Sequence, residues 1–189
     1  SHLNDVADAE GVDIGIVSPD GRQGMIDHAN QFHDNDIPYI FDPGQGLPLF
    51  SGDDLKHFIE VATWVTVNDY EWSLIQNKTG LTEADAAAMV KALIITRGSQ
   101  GSTIYAGGKE LTIPVAKPKD VLDPTGCGDA YRAGLLHGLS NDMDWETTGR
   151  IASLMGALKV ETPGTQNHTF DNAEFDARFR ESFDRSIDG

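Results

Sequence analysis

An α/β fold with a mainly parallel sheet covered on both faces is predicted by three features of the 189-residue chain. Short apolar runs alternate with stretches of helical periodicity, the alternation that builds βαβ units. The runs close on turn residues, as at Ser18-Pro19-Asp20-Gly21 and Asn35-Asp36. The composition, 39% hydrophobic and 23% charged, is that of one ordinary globular domain with enough residues for a substantial core.

The elements follow in order. Val12 to Val17 reads as a buried strand, and Met25, Ile26, Ala29 and Phe32 recur at helical spacing before a second strand, Ile37 to Phe41. The cycle repeats with a helix over 53–62, a strand over 64–67, helices over 69–76 and 82–93, and a strand over 93–96. Between Gly101 and Val115 the pattern becomes strand, Gly107-Gly108 turn, strand, which predicts an antiparallel hairpin at a sheet edge. Helices over 128–139, 145–159 and 171–183 complete the chain as a single domain, 1–189.

Thirty acidic against fourteen basic residues give a formal net charge of -16, which repels phosphate backbones and anionic membrane surfaces and argues against a nucleic-acid or membrane partner. One cysteine, Cys127, excludes an intrachain disulfide framework and a multi-thiolate zinc site, so a reducing compartment, the cytoplasm, fits. No apolar run approaches the roughly 18 residues of a spanning helix. His28 and His33 do not share a helical face, and His2, His57, His137 and His168 stand apart, which does not suit a histidine metal site. The acidic groups Asp5, Asp8, Glu10 and Asp142, Asp144, Glu146 read as solvated surface.

The densest chemistry lies in "DPTGCGDAYRAG", residues 123–134. No GxxxxGK[ST] P-loop occurs, and a GxGxxG dinucleotide fingerprint fails because its third glycine position holds Tyr131. What remains is a glycine-rich turn running into a helix, with Asp129 in the first turn and small residues beyond it. Free amides at such a start suit an anion, while an ordinary capped helix start explains the same residues. Arg132 reads equally as a phosphate contact or as the partner of an acid.

This segment resembles the C-terminal D-T-x-G-A-G-D signature of the PfkB, or ribokinase-like, carbohydrate kinases, with Pro124 and Cys127 departing from the commonest residues. Asn68-Asp69-Tyr70-Glu71 is similar to that family's N-x-x-E element, Thr96 to Gly101 to its T-x-G-x-x-G segment, and 156–168 to the stretch bordering adenine. "FDPGQGLP", "WVTVNDYE", "DWETTGRIASLMGALK" and "GTQNH" look most like bacterial adenosine-kinase-like members.

The resemblance implies a ribokinase-like three-layer αβα sandwich and ATP-dependent phosphorylation of a nucleoside or sugar hydroxymethyl group, adenosine first. Ribokinase- or fructokinase-type chemistry and a non-catalytic nucleotide-binding module remain the alternatives. It makes Asp129 the catalytic base and Gly126, Cys127 and Gly128 an anion hole. Asn68, Glu71, Thr96, Gly98, Gly101 and Ser153 would lie beside ATP. Asn68 and Glu71 would hold magnesium through water, and Asp123, Thr125, Lys159, Thr162 and Gly164 would form a potassium site. A homodimer of the complete protein is compatible with it. Members of the family are longer and begin with strands that carry substrate residues and a β lid. The resemblance therefore makes this chain the C-terminal, ATP-side portion, inactive in isolation and with an open sheet edge prone to association.

Overall fold

The computed structural model describes residues 11–187; His2, Asp5, Asp8 and Glu10 lie outside the described residues. The elements are β1 (Gly15–Val17), α1 (Arg22–Asp34), β2 (Tyr39–Phe41), α2 (Gly52–Val61), β3 (Trp64–Asn68), α3 (Asp69–Thr79), α4 (Glu83–Met89), β4 (Ala92–Thr96), β5 (Ser102–Ala106), β6 (Lys109–Ile113), α5 (Cys127–Ser140), α6 (Trp145–Val160) and α7 (Asn172–Phe183). The six strands form one sheet in sequential order, β1 to β6. The first four are parallel, with Ile16 beside Ile40, Ile40 beside Trp64 and Asn68 beside Thr96. β5 and β6 meet across Gly107 and Gly108, both at positive φ (57° and 73°), and so short a connection can only reverse the chain.

Contacts divide the chain into two compact units, one running to Arg97 and including Thr103–Glu110, the other formed by Gly98–Ser102 and the residues from Leu111 on. In the first unit, helices pack against one face of the sheet. There Val17, Phe41, Val65, Val67, Leu93 and Ile95 from the strands meet Met25, Phe58, Ile59, Trp72 and Ile75 from the helices. Phe41 stacks on Phe58 at 4.4 Å, with Phe50 edge-on at 4.9 Å. Strand positions of the opposite parity, Ile40, Trp64, Thr66 and Ile94, are buried as well, which explains why these strands read as unbroken apolar runs.

The second unit is built on α6. Its Ile151, Leu154 and Ala157 pack with Ala116 and with Phe179 of α7. α5 approaches α6 through glycines: a Cβ on Gly134 would lie 2.5 Å from the Ala152 Cα, and one on Gly138 would collide with Thr148. Glu161, just past α6, takes both arms of the Arg178 guanidinium at 2.6 and 2.9 Å and so fixes α7.

Two local expectations change. The helix over 82–93 stops at Met89, because Val90 is extended and the Lys91 amide donates to Thr63 O at 2.9 Å, leading the chain into β4. Gly44–Leu49, overlapping "FDPGQGLP" and ending one residue beyond it, forms a 3-10 turn that apolar periodicity does not mark.

Candidate active site

Five helices begin with a side-chain cap: α2, α3, α4 and α7 carry reciprocal capping boxes, and Asp144 caps α6. In α3 the Asn68 Oδ1 accepts from the Glu71 amide and Glu71 Oε2 accepts from the Asn68 amide, both at 2.8 Å. Thr96 ends the neighbouring strand at the same register, its hydroxyl donating to Val67 O at 3.4 Å. The N-x-x-E and T-x-G elements therefore stand side by side at the carboxyl ends of β3 and β4, where ligands bind in open parallel sheets.

α5 starts differently. Its cap is Gly126, in the left-handed region at φ 84°, and no side chain bonds the first turn. The Cys127 amide donates to Pro124 O at 3.1 Å, whereas no hydrogen bond within the chain engages the Gly128 or Asp129 amide among the described residues. Two free N–H groups thus sit at the positive end of a 14-residue helix. The Asp129 side chain, 80% exposed, projects beside them and lies 3.3 Å from Arg132. Burial pushes the Cys127 thiol pKa up, which opposes thiolate formation and a nucleophilic role. Tyr131, in the fingerprint's third glycine position, is buried with its hydroxyl 2.8 Å from Ser102 Oγ.

The turn before α5 is knotted to the end of α6. The amides of Leu122 and Asp123 both donate to Val160 O, at 2.9 and 3.1 Å. Asp123 accepts from the Thr125 amide through Oδ1 and from the Gly164 amide through Oδ2, each at 2.9 Å. Lys159, 0% exposed, donates from Nζ to Asp123 O at 2.7 Å and to Thr162 O at 3.3 Å. The Thr125 amide and hydroxyl foremost, then the Gly164 amide and the Lys159 charge, hold the Asp123 carboxyl at about 2.

Because the folded pKa is depressed, this contribution to stability is complete above the unfolded value of about 4 and is lost as pH falls through about 2. Denaturant titrations of wild type and Asp123→Asn are expected to differ most at neutral pH and to converge toward pH 2. A gap that does not change with pH contradicts this role.

Ser153, buried in α6, accepts from the Ala116 amide at 2.8 Å and donates to Pro114 O at 3.1 Å, so its hydroxyl faces the chain's own loop. Gly101 has φ 84°, and a Cβ there would strike Ile113 O, so the fold itself demands glycine at this position; Gly98, at φ 53°, has open space around it. The structure therefore groups Asn68, Glu71 and Thr96 in one unit, and Asp123, Thr125, Gly126, Asp129, Lys159, Thr162 and Gly164 in the other.

Sequence comparison matches the chain to the pfkB family of carbohydrate kinases over residues 5–172. The chain belongs to that family. This pfkB-family chain is 39% identical over 128 residues to the nucleoside kinase of Methanocaldococcus jannaschii, covering 68% of this chain and 42% of that protein. It is 32% identical over 165 residues to the Bacillus subtilis ribokinase, covering 87% and 54%. Among solved structures it resembles the Burkholderia thailandensis nucleoside kinase in complex with inosine, at 49% identity and a TM-score of 0.95, over 98% of this chain and 61% of that one. The chain spans about half the length of the curated relatives it matches. The α/β ribokinase-like fold expected from the sequence is the fold observed.

The interior place of Lys159 has no local signature in the sequence. The resemblance places Lys159 in a potassium site; in the structure its ammonium is what enters the knot, donating to Asp123 O and Thr162 O. A lysine at a helix end reads as surface, and only the approach of Asp123 from 36 residues away makes it interior.

Proposed function

We propose that the protein transfers the γ-phosphate of ATP to the hydroxymethyl group of a nucleoside, with adenosine the first candidate acceptor. The start of α5, which lacks a side-chain cap, carries this reading, because it sets two free amides beside an exposed carboxylate. The reading is supported by the nucleoside kinases among the relatives and by the B. thailandensis nucleoside kinase complex with ADP-inosine.

Phosphoryl transfer needs positioning and charge stabilisation more than covalent chemistry. In the proposed mechanism the Gly128 and Asp129 amides, with the Gly126-Cys127 turn around them, face the oxygens of the moving phosphoryl group. Asp129 accepts the acceptor's hydroxyl proton as the oxygen attacks in line. A magnesium ion bound with the nucleotide would supply positive charge that offsets the charge of the phosphates. Asn68 and Glu71 suit it as hard oxygen donors acting through water. The single side-chain oxygen of Asn68 and one of the two of Glu71 accept the capping-box hydrogen bonds of α3, and no cluster of three or more metal-ligating side chains occurs among the described residues. This donor set fits a metal carried mainly by the nucleotide.

A sugar acceptor is the second reading, favoured by the ribokinase match over 87% of the chain. ADP release from ATP on adding adenosine, inosine, ribose or fructose separates the two. The assay applies to this chain and to any longer protein that contains it. Release with adenosine or inosine supports the nucleoside reading and release with ribose or fructose the sugar reading; no release with any of them, in either form, rejects kinase activity.

A further inference from the structure

The oxygens that a monovalent cation would need are already turned on an ammonium. Lys159 Nζ lies 2.7 Å from Asp123 O and 3.3 Å from Thr162 O, with Asp123 Oδ2 at 4.0 Å. Two carbonyls and a carboxylate converging on one buried positive centre are hard oxygen donors of the kind a potassium ion takes. A potassium ion does not fit among them while Nζ is there. We propose that the Lys159 ammonium is a built-in cation that replaces a bound monovalent ion and orders the turn leading to α5.

The charge accounting supports this. A buried lysine remains charged at tolerable cost only when its hydrogens are accepted and a counter-charge is near. Here the two carbonyls accept, and the Asp123 carboxylate supplies the opposite charge. The same carboxylate takes the Thr125 and Gly164 amides, so the ammonium, the turn and the loop after α6 form one unit of hydrogen bonds. The buried lysine stem runs inward from the last turn of α6, a tether that an exchangeable ion cannot provide. Lys159 is thus a positioning residue: it acts on phosphate through the turn, three residues before the Gly126 cap.

The inference rests on the phosphate-holding reading of that turn for its nucleotide measurement, but not for its thermal one. Melting temperature and ADP affinity are measured for wild type and Lys159→Met in tetramethylammonium chloride and in potassium chloride at equal ionic strength. Wild type is expected to show the same values in both salts. Lys159→Met is expected to melt lower and bind ADP about tenfold more weakly in tetramethylammonium, the loss of charged hydrogen bonds, and to recover both in potassium but not in lithium. A lysine that merely fills space gives no such dependence on ion size. The proposal is overturned if potassium raises the wild-type melting temperature, or if the variant responds alike to every cation. Should the variant not fold, the wild-type comparison alone decides. Should wild type bind no ADP, the kinase reading fails while the melting comparison still tests the lysine.

Discussion

Asp129→Asn is expected to lower kcat at least about a hundredfold, the low end of what a general base contributes, with ADP affinity nearly unchanged. The substitution keeps the shape of the side chain while removing its ability to accept a proton and its charge, and with the charge the ion pair to Arg132. With its side chain 80% exposed and partnered by Arg132 at 3.3 Å, Asp129 has little structural work to do. Its favourable position at a helix start predicts a melting shift of no more than about 4 °C. Steady-state kinetics against the proposed acceptor, alongside thermal unfolding, checks both halves. Near-wild-type turnover removes Asp129 from the mechanism, and a collapse in stability would make the residue architectural.

Gly134→Val is expected to destabilise the fold by at least about 2 kcal/mol, as overpacking of a dense contact does, and to lower the melting temperature by about 4–8 °C. The obstacle is main chain: a Cβ at 134 would stand 2.5 Å from Ala152 Cα and 2.8 Å from its nitrogen. Neither atom can rotate away, so α5 and α6 would have to separate. Gly156→Ala on α6 is the control. Its Cβ would meet only Cys127 O, at 3.7 Å, and helix propensity favours alanine by up to about 1 kcal/mol. Opposite signs for the two substitutions in thermal unfolding support close glycine-mediated packing; equal stability of Gly134→Val and wild type refutes it.

The features legible in sequence were those written in local chemistry. Helix starts at Ser51, Asn68, Thr82, Asp144 and Asp171 announce themselves because each cap bonds within three residues. The hairpin was legible in Gly107-Gly108, whose positive φ values the turn requires. Asp123 through Asp129 stood out because glycines, a carboxylate and a helix start coincide there. The end of α4 was not legible, since what stops it is the bond from Lys91 to Thr63 on another segment. The interior place of Lys159 was hidden for the same reason, and so was the loop-facing hydroxyl of Ser153. In each case the deciding partner is distant in sequence, and periodicity carries no information about it.

The contact between α5 and α6 bears on motion. Asp129 rides on α5, the preceding turn is tied to the last turn of α6 through Lys159, and glycine faces press the two helices together. Interiors packed this closely resist compression and shear. Asp129, the amides beside it and the preceding turn therefore travel as one body. In the proposed mechanism this pair of helices would then act as a fixed surface, and any movement that brings reactants into line would involve other segments.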